Sequence, residues 1–261
     1  MLVGSAVLSR DLYGELLQGA LVTVKVTGLA AVLGTLLALV GGVASLSARP
    51  AVRWLTIVYV EVFRGVAAII LLYWIFFTVP LLLDVRLSPM QAGVLALGTN
   101  MGAYGTEIAR GAIQAVPRGQ TEAAIALNMT TAQRLRHVTL PQALVTMLPP
   151  FGNLLIEVMK ASALVSVITL QDLTREAQDL RVNRAADSID IFVAALIIYF
   201  LMALVITFAV RQAERYLGRG LHVQPPQGMR RWAHRLSTVS AGSCAARRWP
   251  ASAWTTITLS A

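Results

Sequence analysis

Five apolar runs, 16–45, 54–79, 90–109, 140–168 and 191–210, fix what this chain can become. Each is long enough to cross a bilayer, which takes ~20 helical residues. Backbone inside hydrocarbon has no water to bond, so a crossing segment must be a helix or part of a closed barrel. Runs of this length predict helices, and the expectation is an all-α, polytopic membrane protein with five transmembrane helices. Of its 261 residues, 56% are hydrophobic and 13% charged, and the mean hydropathy is +0.67. A soluble domain carries about a quarter charged residues.

The formal charge of +9 would suit a nucleic-acid binder, but its distribution points to membrane anchoring instead. Arg49 and Arg53, the loop at 110–139 and the tail after 210 hold most of the basic residues. The alternate segments, 1–15, 80–89 and 171–190, hold most of the acids. Cytoplasmic loops carry the excess of Lys and Arg. The N-terminus is therefore expected outside, and the C-terminus and the 110–139 loop in the cytoplasm. Residues 1–15, with Arg10, Asp11 and Glu15, lack the pattern of a removable signal peptide. Residues 222–261 follow Pro225-Pro226 without apolar period and are expected to be a disordered cytoplasmic tail.

Four polar or small-residue patterns interrupt the apolar runs. Ala30, Gly34, Ala38 and Gly42 recur every fourth residue, and Gly98 and Gly102 repeat the spacing, so both helices offer close contact, either within the subunit or to a second copy. Glu61 and Arg64 lie three apart on one helix face. Charges at such depth cost ~2.5 to 3.5 kcal/mol each unless paired or facing water, so they either neutralise each other or line a pathway. Asn100, Tyr104 and Glu107 form a polar face that serves an interface or a pathway. Asn153, Glu157 and Lys160 do the same in the fourth run, beside Pro149-Pro150, where Glu157 and Lys160 either satisfy each other or meet the amine and carboxylate of a zwitterion.

The loop between the third and fourth runs has its own order. Residues 121–127 have helix-forming composition, and Asn128 tolerates a left-handed cap. Thr130 and Gln133 form a Thr-x-x-Gln capping box that restarts a short helix. Arg134, Arg136 and His137 give a basic flank before Val138, Leu140 and Pro141 re-enter the apolar run. Two short helices held between spans make a knob suited to a partner's groove.

Glu122-Ala123-Ala124, then Asn128, Val138 and Leu140-Pro141, resemble at every spacing the EAA loop of permease subunits of ABC importers, with Asn128 in place of glycine and Val138 in place of isoleucine. The resemblance implies the type I ABC importer permease fold over 16–221. It also implies ATPase coupling by Glu122, Ala123, Ala124, Asn128, Thr130, Leu140 and Pro141. Glu61 to Gly65 is similar to the E-x-F-R-G stretch of polar amino acid permeases, although Val66-Ala67 stands where that group has Thr-Pro, the proline on which a kink would rest. Residues 104–128 and 148–157 look closest to ectoine/hydroxyectoine permeases. The partners so implied are ABC ATPase subunits, a second permease subunit in a homo- or heterodimer, an extracytoplasmic solute-binding protein and a polar zwitterionic solute. The location implied is the bacterial inner membrane.

No chemistry of its own is expected from this chain. Lys25 and Lys160 are not followed by Ser or Thr, so there is no phosphate-binding lysine motif. His137, His222 and His234 make no metal site, and Cys244, the single cysteine, allows no intrachain disulfide. An ion-gradient transporter of a small polar solute or a non-transporting scaffold are the readings from other classes. Internal repeats would favour the former, and a lack of polar faces inside the spans the latter.

Overall fold

The computed structural model describes residues 10–183 and 188–218, with side chains from Gly14 onward, and every regular element in these residues is a helix. In chain order they are α1 (Arg10–Ser45), α2 (Pro50–Gly65), α3 (Ala68–Tyr73), α4 (Val79–Leu83), α5 (Pro89–Gln114), α6 (Arg118–Ala126), α7 (Thr131–Arg134), α8 (Leu140–Ala161), α9 (Leu173–Asn183) and α10 (Ser188–Gly218). The expectation for the tail at 222–261 lies outside the described residues.

Local chemistry sets the boundaries. Ser88 starts α5 with both halves of a capping box, accepting from the Gln91 N–H at 3.3 Å while Gln91 Oε1 accepts from the Ser88 N–H at 2.9 Å, and Pro89 takes the first position, where no N–H is needed. Two π-helical turns, Trp74–Thr78 and Leu135–Thr139, each end two residues before a proline, Pro80 and Pro141. Proline cannot donate to the carbonyl four residues back, and its ring crowds that carbonyl. The wider turn gives it room. Through the second of these turns α7 runs on into α8, so the fourth long helical segment begins at Thr131 rather than 140 and extends to Ile168, its end tightened into a 3₁₀ helix, Ser162–Ile168. α8 carries Pro149 and Pro150 within its length.

α5 is the axis of the bundle. A Cβ added at Gly34 would meet Met101 at 2.8 Å, one at Gly105 would meet Ala38 at 2.6 Å, and Gly42 abuts Ala109. These pairs keep one offset in numbering, so α1 and α5 run parallel, and the small-residue stripe of α1 is an internal seam. On other faces, Gly93 meets Val165 and Gly105 meets Phe151, which makes α8 antiparallel to α5. Val26, Leu72, Met101, Met147 and Val165 are among the residues of this core. A second core joins the start of α1 to α9 and α10 through Leu16, Leu173 and Ile191.

Helix directions settle the path of the second run. Because α1 and α5 point the same way, residues 46–88 must return the chain from one end of the bundle to the other. They do so as two helical pieces, α2 and then α3 to α4, bent by 105°. The span expected over 54–79 is thus bent, and the kink that replacement of Thr-Pro by Val66-Ala67 had put in doubt is present. The break falls at Val66, whose backbone is extended (φ −93°, ψ 136°), without help from a proline.

By length and apolarity alone, Gly14–Ser45, Thr131–Ile168 and Ser188–Leu217 pass as membrane spans, with the bent pair as a fourth. α5 has 26 residues, about 39 Å at 1.5 Å each, and is long enough. It is less apolar because glycine and alanine, rather than large apolar side chains, suit a helix enclosed by its neighbours. α10 is the opposite case, exposing Phe192, Leu196, Phe200, Leu204 and Phe208 as a lipid-facing helix does.

At the end holding the start of α1, Asp172 is completely buried and caps α9, accepting from the N–H groups of Thr174 and Arg175 at 3.2 and 3.1 Å. Leu173 N–H donates to Thr23 Oγ1, which in turn donates to the Gly19 carbonyl. Burial pushes the Asp172 carboxyl above its ordinary range. A raised folded value means that its contribution to stability is present at acid pH and is lost as pH rises through that value. Asp172→Asn keeps the cap but cannot titrate. We expect it to flatten the fall in Tm as pH is raised from ~4 toward neutrality, measured on detergent-solubilised protein. An unchanged slope would assign the fall to Glu176, which is also raised, by burial and by the acids Asp179, Glu15 and Asp172.

Candidate functional site

The loop after α5 folds as its local chemistry directs. α6 closes at Leu127, and Asn128 takes the left-handed conformation at φ 56°. Asn128 N–H donates to the Ile125 carbonyl at 2.9 Å and Met129 N–H to the Ala124 carbonyl at 3.1 Å, the paired bonds of a Schellman ending. Thr130 then caps α7: its hydroxyl accepts from Gln133 N–H at 3.3 Å, and Gln133 Oε1 accepts from Thr130 N–H at 2.9 Å. Ala124 is buried where α6 meets the Leu135–Thr139 turn, while Glu122 and Ala123 are exposed. Leu140 and Pro141 are half-buried at the foot of α8. The result is a rigid hairpin of short helices at the end of the bundle opposite α9.

Asn128 is the residue this shape depends on. A β-branched side chain in left-handed backbone costs ~1–2 kcal/mol, and glycine costs nothing there. Asn128→Val should therefore loosen the hairpin, and Asn128→Gly should leave it intact. Proteolysis of the loop in membranes would check this, with faster cleavage for the valine variant alone.

Of the two roles open to Glu61 and Arg64, mutual neutralisation does not occur. No ion pair joins Glu61 to Arg64. The Arg64 guanidinium instead lies over the Tyr104 ring, 5.1 Å from its centroid, a cation–π contact between α2 and α5. Asn100 Nδ2 donates to the Phe63 carbonyl at 2.8 Å, an acceptor left free by the break at Val66. Glu107 is held by Arg110, Nη2 to Oε2 at 2.6 Å and Nε to Oε1 at 3.2 Å. The three residues read as one polar face thus do three different things. Glu61, Arg64 and Glu107 come together with Arg53, Arg110 and Gln114 around a cleft of about 530 Å³ at the loop end of the bundle.

Asn153, Glu157 and Lys160 are on another surface. They stand exposed on one face of α8, away from that cleft, and no ion pair joins Glu157 to Lys160. The structure therefore divides the eight residues into two groups. Sequence reasoning passed over Arg110, whose spacing from Glu107 was its signal. It also gave Lys25 no structural role, although this is a lone cation, exposed, inside the first apolar run.

Residues 30–222 match the family described as binding-protein-dependent transport system inner membrane component. A probable amino-acid ABC transporter permease of Sinorhizobium fredii is 45% identical over 215 residues, 80% of this chain and 90% of its own length. A glutamine transport system permease of Escherichia coli is 33% identical over 201 residues, 77% of this chain and 91% of its own. The crystal structure of an amino acid ABC transporter with histidines superposes with a TM-score of 0.74 at 33% identity, covering 83% of this chain and all of that one. An inward-facing methionine ABC transporter, at TM-score 0.68 and 21% identity over 80% of this chain and 99% of its own, shares the fold.

Proposed function

The chain belongs to the binding-protein-dependent transport system inner membrane component family, and from that membership we propose that it is the permease subunit of an ABC importer for a polar amino acid or a related zwitterion. ATP is hydrolysed by separate subunits, onto which the α6–α7 hairpin docks through Glu122, Ala123, Ala124, Asn128 and Thr130, with Leu140 and Pro141 passing the movement into α8. A second permease subunit completes the pathway, and an extracytoplasmic binding protein delivers the solute. The N-terminus lies outside and the hairpin in the cytoplasm, in keeping with the arginines around it.

Solute meets charge at two levels. On α8, Lys160 suits a carboxylate, Glu157 an amine and Asn153 either. Nearer the cytoplasm are Glu61, Arg64 and Glu107, with Tyr104 and Asn100 fixing the geometry of α2 against α5. Ectoine and hydroxyectoine are the narrower solute proposal, supported by the wording of residues 104–128 and 148–157.

The hairpin carries this reading: a Schellman turn and capping box hold the EAA-type residues in one rigid unit. Reconstituting the subunit with its ATPase and binding protein in proteoliposomes tests it. Uptake of a zwitterionic solute should require ATP and survive collapse of ion gradients. Uptake driven by an ion gradient without the ATPase would contradict it.

A further inference from the structure

The lipid-facing stripe of α10 ends in cations. At 3.6 residues per turn, Phe200, Leu204, Phe208, Arg211 and Arg215 fall within about 80° of arc, and all five are exposed. α8 and α10 touch at Gly152 and Val210, so Arg211 stands level with the middle of α8. Arg215 is one turn, about 6 Å, nearer the hairpin end. Among the described residues no carboxylate comes within ion-pair distance of either guanidinium, and Arg215 Nη1 donates to Gln212 Oε1 at 3.3 Å. A charge on a face that meets lipid is costly unless it reaches the headgroups. An arginine stem can lie along apolar surface while its head reaches outward, and the guanidinium fork matches phosphate oxygens.

The chain beyond α10 continues the same chemistry. Residues 219–261 contain six arginines and no Lys, Asp or Glu. Four of those arginines stand in an Arg-Arg-Trp segment that occurs twice, at 230–232 and 247–249. Basic clusters just outside a membrane helix recognise anionic lipid, and Trp favours the level of the headgroups. The family match ends at residue 222, so both segments lie outside the part of the chain that the family explains. Nucleic acid would also attract arginine. These arginines, however, follow a helix whose own arginines face lipid, which makes the bilayer surface the anion within reach.

We propose that the arginine end of α10 and the Arg-Arg-Trp segments form one binding surface for anionic phospholipid headgroups. Arg211 and Arg215 take the phosphates of lipids whose acyl chains run along Phe200, Leu204 and Phe208. The two Arg-Arg-Trp segments take headgroups farther out, guanidinium on phosphate and indole beside it. The leaflet is the cytoplasmic one, a point that rests on the reading that places the C-terminus there.

The test uses the full-length chain in lipid nanodiscs, with an environment-sensitive fluorophore on Cys244, the single thiol, which lies between the two Arg-Arg-Trp segments. In discs of equal parts phosphatidylglycerol and phosphatidylcholine its emission should shift to the blue, and in pure phosphatidylcholine it should not. At about 1 M salt, where screening acts over roughly 3 Å, the shift should vanish. R230Q/R231Q/R247Q/R248Q should lose it without added salt. Native mass spectrometry of that variant, released from the mixed discs, should still show phosphatidylglycerol bound in preference to phosphatidylcholine. Adding R211Q/R215Q should reduce the preference on the order of tenfold, at about fivefold per arginine. R211K/R215K should keep it, which separates charge from a change in fold. Equal shifts in both kinds of disc would overturn recognition by charge. No shift in either, or a shift only when RNA is added, would overturn the assignment of the Arg-Arg-Trp segments to lipid. Equal retention of the two lipids would overturn the α10 site. Both leaflets of a disc carry the same lipid, so these results hold whichever side the C-terminus occupies. A C-terminus found outside would contradict the orientation and leave lipid binding standing.

Discussion

Replacing Ala124 by tryptophan reduces ATP-driven uptake to the level of vesicles without ATP, while the subunit still inserts and purifies. Ala124 is 3% exposed and sits where α6 meets the turn leading into α8. Its own carbonyl accepts the Met129 N–H that closes the hairpin. An indole there has no room, and overpacking of this kind costs ~1–3 kcal/mol. The hairpin relieves that strain locally by swinging α6 away, because it lies outside the packed bundle. The surface offered to the ATPase is then lost although the spans are unaffected. Glu122→Lys should reach the same end by another route. Its side chain is exposed, so folding is spared and only the docking charge is reversed. Uptake and ATPase stimulation measured beside expression would check both variants. Normal uptake in either would remove the hairpin from the coupling route.

Gly105→Leu, by contrast, prevents the bundle from forming. A Cβ at this position falls 2.6 Å from Ala38 Cβ on α1 and 3.1 Å from Phe151 on α8, so it intrudes on two helices at once. Ala38 has no flexible end that can move aside. Even alanine should cost on the order of 1–3 kcal/mol, and leucine adds three more carbons to the same space. We expect Gly105→Ala to lower Tm by several degrees and Gly105→Leu to yield aggregated protein by size-exclusion chromatography. Gly111, with open space around the added Cβ, is the control, and Gly111→Ala should behave as wild type. A well-folded Gly105→Leu protein would mean that α1, α5 and α8 do not meet as described.

How far the sequence could be read depended on whether a feature is made by neighbours in the chain. The turn at Asn128 and the cap at Thr130 are built from residues within a few positions of each other, and their chemistry is visible in the order of letters. Apolar length likewise marks α1 and α10. The role of α5 as an axis was less visible. Its glycines announced close contact, but which helix approached each one depends on pairs such as Gly34 with Met101 and Ala38 with Gly105, each meeting across 67 positions. The break at Val66 carried no proline, and its stabilising partner, Asn100, lies on another helix. The partner of Arg64 was hidden for the same reason. A three-residue spacing places Glu61 and Arg64 on one face, yet it cannot say that Tyr104 waits opposite Arg64.

In the proposed arrangement the α6–α7 hairpin faces the cytoplasm, where an ATPase can reach it. Substituted-cysteine labelling addresses it directly, because with Cys244 replaced by serine the chain has no other thiol. A cysteine at Gln120, which is exposed on α6, should react with a membrane-impermeant maleimide in inside-out vesicles and stay unlabelled in intact spheroplasts. Labelling of intact spheroplasts would put the hairpin outside and contradict its docking to an ATPase.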